Sequence, residues 1–138
     1  MHIDWSSLFG RLHPLVVHFP IALILVAAVL DLVGCCRRQA FAAGVFDVLL
    51  GFAALGSLAS VATGWWFARQ QENADGATLQ WHRWLGVAVA ALATGCWLVG
   101  RVSPGHKARR WLVWVTALTV VICGHLGGLL VWHDDFFQ

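Results

Sequence analysis

Histidines are the residues of this sequence best placed to do chemistry. Seven occur, His2, His13, His18, His82, His106, His125 and His133. Arg11-Leu12-His13-Pro14-Leu15-Val16-Val17-His18-Phe19-Pro20 opens the first long apolar run. Trp81-His82 opens the third, and Gly124-His125-Leu126-Gly127-Gly128 lies within the fourth. A titratable side chain is costly in lipid, so each imidazole there needs a partner or a ligand. Two uses fit. Two imidazoles from different helices can ligate a b-type haem. Three or four converging on one point can hold copper or zinc.

The elements that must position them are legible from composition. The chain has 138 residues, 59% apolar and only 12% charged, with a mean hydropathy of +0.73. Soluble domains carry about 25% charged residues, so these values indicate a protein embedded in a lipid bilayer. A net charge of +2 gives no basis for a nucleic-acid partner. Cys35, Cys36, Cys96 and Cys123 lie in or beside apolar runs and read as small apolar residues. No Cys-x-x-Cys-His occurs, which excludes covalent haem attachment by that motif. Met1 to Gly10 carry Asp4 and no Lys or Arg. They do not read as a signal peptide, so the first run is expected in the mature protein.

A bilayer takes about 20 helical residues to cross. Four stretches, at about 12–34, 41–68, 81–100 and 111–132, are long enough. Short connections predict one all-α membrane domain over 1–138, an antiparallel up-down-up-down four-helix bundle. Arg37, Arg38, Arg101, Lys107, Arg109 and Arg110 fall on one side, against Arg11, Arg69 and Arg83 on the other. Basic loops stay in the cytoplasm. Both termini are therefore expected outside, periplasmic if this is a bacterial inner-membrane protein. Trp5, Trp65, Trp66, Trp81, Trp84 and Trp132 mark the outer ends, and Trp97, Trp111 and Trp114 the inner ends. Gly56, Ser60 and Gly64 form a small-residue face suited to helix packing, inside the bundle or between protomers of a homo-oligomer or larger complex. Asp31 and Asp47 are expected to pair with Arg37 and Arg38, or to serve proton entry. No internal repeat is evident.

On this topology His18 and His125 share a depth, roughly 9–10 Å inside the outer boundary at about 1.5 Å per residue. They form the first expected ligand pair. His13 and His82 lie nearer the surface, as ligands of a second haem or as groups orienting the first. His13 and His18 are about 140° apart on a helix, so they face different sites. Gly86, Gly124 and Gly128 remove side-chain volume where a macrocycle could lie. Arg11, Arg69 and Arg83 lie where haem propionates would emerge. These features favour haem over a copper or zinc centre built on the same four histidines.

His13-Pro14-Leu15-Val16-Val17-His18-Phe19-Pro20-Ile21-Ala22, with Trp81-His82 and His125-Leu126-Gly127-Gly128, resembles the small four-helix bacterial membrane proteins of the DUF2231 family, over essentially the whole chain. The resemblance implies a membrane domain. Similar modules stand beside c-type cytochrome domains, which implies redox chemistry and adds weight to His13, His18, His82 and His125. The expectation is a haem b electron-transfer subunit rather than a stand-alone enzyme. It would exchange electrons with a membrane quinone and a separate periplasmic cytochrome c or dehydrogenase. A histidine-based copper or zinc protein and a cofactor-free structural subunit are the alternatives.

Overall fold

Backbone N–H and C=O groups find no water in a hydrocarbon layer, so an apolar chain satisfies them internally by forming helices. The computed structural model describes residues 9–38, 41–69, 76–103 and 107–132. Four helices follow in order: α1 (His13–Arg37), α2 (Ala43–Arg69), α3 (Ala77–Val102) and α4 (Lys107–Trp132). All four are long and apolar enough to cross a membrane. Among the described residues there are no strands.

Helices α3 and α4 start earlier than the expected 81 and 111, at Ala77 and Lys107. Apolar runs end at the first polar residues, whereas helical hydrogen bonding continues through the interface. Pro20 does not break α1; it is buried within it.

Consecutive helices pack on one another, and α1 closes the ring against α4. That leaves α1 opposite α3, and α2 opposite α4. The centre is built from small side chains, with Ala27, Ala53, Ala93 and Cys96 fully buried beside Ile24 and Val113. Large apolar residues point outward instead, among them Leu15, Leu55, Leu118 and Val131. Small residues inside and large ones outside suit a lipid solvent, in which helices associate through close packing. The Gly56–Ser60–Gly64 face packs inside the bundle. A Cβ on Gly56 would fall 3.2 Å from Pro20 Cδ, so α1 rests on α2 there.

At the basic end, each acid clips two helices together. Asp31 of α1 accepts from Arg110 Nε at 2.9 Å and Trp114 Nε1 at 3.0 Å, both on α4. Asp47 of α2 accepts from Trp97 Nε1 of α3 at 2.9 Å and lies 3.8 Å from Arg101. The expected partners, Arg37 and Arg38, are replaced by arginines of neighbouring helices. Arg38 is seven residues beyond Asp31, roughly 10 Å further along the axis.

Candidate functional site

At the other end, His13 occupies the first turn of α1, followed directly by Pro14. Proline is tolerated there because its missing N–H has no intrahelical acceptor to lose. The imidazole crosses to α2. Its Nδ1 lies 3.0 Å from the Ser60 carbonyl oxygen and 3.3 Å from Thr63 Oγ1. A carbonyl only accepts, so Nδ1 carries the proton. Thr63 spends its own hydroxyl proton on the carbonyls of Ala59 and Ser60. In the neutral ring the lone pair is therefore on Nε2. Gly64 makes room for this: a Cβ there would fall 2.7 Å from His13 Cε1.

The second hairpin repeats the arrangement. His82, early in α3, places Nδ1 3.0 Å from the Cys123 carbonyl oxygen of α4. Its Cε1 would lie 3.0 Å from a Cβ on Gly127. In both hairpins the first helix supplies the histidine, the second supplies the carbonyl, and a glycine four residues later seats the ring. The two rings meet across the bundle with centroids 6.3 Å apart and planes at 83°. A repeat that is not evident in the residue order is thus present in the contacts.

His18 and His125 are placed differently. Both are exposed. His18 Nδ1 donates to the carbonyl of Pro14 in its own helix. Among the described residues no ring contact joins His18 to His125. The pair that meets is His13 with His82, not the pair matched by depth. Depth says nothing of azimuth. On α4 the inward seam runs through Val113, Thr116, Ala117 and Val120 and continues to Cys123 and Gly127. His125, two residues from each of the last two, lies about 200° away on the opposite face.

The remaining candidates divide. Arg83, next to His82, lies with its guanidinium carbon 4.0 Å from the centre of the Trp65 ring. Its Nε and the Trp65 Nε1 are buried donors without a partner among the described residues. Arg11 and Arg69 are exposed. Gly86 and Gly128 are half-buried and Gly124 is exposed, and a Cβ on any of the three would meet nothing within 4 Å. His2, His106 and His133 lie outside the described residues. Sequence reasoning missed the carbonyls of Ser60 and Cys123, and Gly64 and Gly127 as ring seats. Gly64 and Gly127 were visible as small residues; their use was not. Among the described residues no group of three or more His, Cys, Asp or Glu comes together to hold a metal ion.

No curated protein and no solved structure matches the chain. The family model described as DUF2231, predicted membrane protein, matches residues 11–136. The match covers nearly the whole chain and all four helices, and the chain belongs to the DUF2231 family of predicted membrane proteins.

Proposed function

We propose that this protein is a membrane-embedded electron-transfer protein that binds b-type haem between His13 and His82. The observation that carries the reading is the facing pair of imidazoles, each fixed by an Nδ1–H···O=C bond that leaves Nε2 as the donor. Metal-bound histidines are typically oriented by such a bond from the other ring nitrogen.

Two imidazoles meeting across the bundle would suit the two protein ligands of a bis-histidine haem, whereas a zinc site takes four groups or three with an open position. The open space beside Gly86 and Gly128 accords with a flat group lying against α3 and α4. Arg83 and Trp65 offer unpaired N–H donors suited to a propionate.

When bound, haem supplies one-electron chemistry. The chain's residues hold it: His13 and His82 as ligands, Ser60 and Cys123 as the acceptors that orient them. With the basic end in the cytoplasm, the site lies in the periplasmic half of a bacterial inner membrane. There it can exchange electrons with a membrane quinone and with a periplasmic cytochrome c or dehydrogenase.

A visible spectrum of the purified protein tests the reading. Protein expressed with haem available should show a Soret band, and sharp α and β bands after dithionite. His13→Ala and His82→Ala should each abolish them, while His18→Ala and His125→Ala should leave them. Colourless wild-type protein would sink the proposal. Bands that survive both inward variants would reject this ligand pair.

A further inference from the structure

At the basic end a cavity of about 320 Å³ opens between α1, α4 and the start of α2. Arg38, Arg109 and Arg110 line it, with Asp31 as the acid among its lining residues. Asp31 is already engaged by Arg110 and Trp114. Among the described residues no carboxylate pairs with Arg38 or Arg109. The Arg109 guanidinium is held over the Phe46 ring, 4.6 Å from its centre. Arg38 ends α1 in a left-handed conformation, φ 53°, with its backbone N–H closing onto Cys35. The cavity is therefore lined by positive charge in excess of its acid.

The helix termini add to this. Both α2 and α4 begin at this end, and neither has an acidic residue in its first turn. Helix α4 instead opens with Lys107, Arg109 and Arg110. Cations at a helix N-terminus oppose the macrodipole, and its free N–H groups want an acceptor. A bound anion would relieve both. The remaining wall is mostly apolar, made of Leu30, Gly34, Cys35, Phe41 and Phe46. Phe41 is itself exposed there.

We infer that this cavity binds the phosphodiester headgroup of an anionic phospholipid, with Arg38 and Arg109 on the phosphate and the acyl chains along the apolar wall. Basic pockets between helices at the cytoplasmic interface suit such headgroups. An amphiphile fits both parts of the lining, whereas a free phosphate would use only the arginines. The inference is independent of the histidine pair.

Native mass spectrometry of the detergent-purified full chain tests it, with phosphatidylglycerol, phosphatidylcholine and inorganic phosphate as probes. One phosphatidylglycerol should be retained per chain, and phosphatidylcholine should bind at least about tenfold more weakly. Arg109→Gln should weaken phosphatidylglycerol about fivefold. Arg38→Gln, at an exposed position that leaves the packing intact, should do the same. Asp31→Asn removes the negative charge while keeping an oxygen to accept from Arg110 and Trp114, so it should tighten binding. Equal retention of the two lipids, or unchanged phosphatidylglycerol binding in both arginine variants, would overturn the site. Displacement of the lipid by millimolar inorganic phosphate would overturn the lipid assignment in favour of a free anion.

Discussion

An imidazole facing the interior of a lipid-embedded bundle needs a neighbour small enough to admit it, and here that neighbour is glycine. Because His13 is tied to Ser60 of the same helix that carries Gly64, it cannot swing aside cheaply when that glycine gains a methyl group. Gly64→Ala should therefore lower stability by about 1–3 kcal/mol, the usual cost of overpacking. Gly127→Ala, with a 3.0 Å approach to His82 instead of 2.7 Å to His13, should cost less. Gly86→Ala meets nothing within 4 Å and, in protein prepared without haem, should be neutral or stabilising, by up to about 1 kcal/mol from helix propensity. Thermal midpoints in detergent check the order; a Gly64→Ala protein as stable as Gly86→Ala would mean that the ring is not seated on that glycine. The same residues show what the sequence could disclose about the site. That His13 and His18 face different directions followed from their spacing. Which of them faces inward depended on the seam of buried positions around the helix, and depth alone favoured the wrong one for contact with a second histidine. Ser60 and Cys123 act through backbone carbonyls, which no side-chain pattern marks.

The helices themselves were legible because lipid imposes a length and a composition on each, and four runs met both. Their ends were less so, since interfacial polar residues remain helical. The pairing of the acids was not legible, because an acid near a run of arginines in sequence can be nearer in space to one on another helix. That distinction has consequences for how the helices are tied. Asp31 is 16% exposed and holds two donors of α4, while Asp47 is 43% exposed, with Arg101 at 3.8 Å. Hydrogen bonds to charged groups contribute about 1.5–3 kcal/mol, against about 0–1 kcal/mol for an exposed ion pair. Asp31→Ala should thus lower the melting point clearly. Asp47→Asn, which keeps an oxygen to accept from Trp97, should change it little. A reversed order in thermal melts would place the main clip between α2 and α3 instead.

Across the whole molecule, the two ends are fastened differently. At the histidine end the polar bonds run within each hairpin, from α1 to α2 and from α3 to α4. At the basic end the acid clips run between hairpins, from α1 to α4 and from α2 to α3, beside a weaker bond within the second hairpin from the Cys96 thiol to the Arg109 carbonyl. Together they tie every adjacent pair in the ring, with the two rings meeting across the diagonal between α1 and α3. Orientation in the bilayer is then a question of which end carries more positive charge. Arg37, Arg38, Arg101, Lys107, Arg109 and Arg110 gather at the end of the acid clips, against Arg11, Arg69 and Arg83 at the histidine end. Short basic connections resist translocation, so the histidine end should face outward. Cys35 and Cys36 are exposed at the basic end and serve as native reporters. A membrane-impermeant maleimide applied to intact spheroplasts should spare them and label them only after lysis. A cysteine introduced as Asp75→Cys, in the connection between α2 and α3, should label without lysis. Labelling of Cys35 and Cys36 from outside would invert the molecule, moving the imidazole pair to the cytoplasmic half and the proposed electron partners with it.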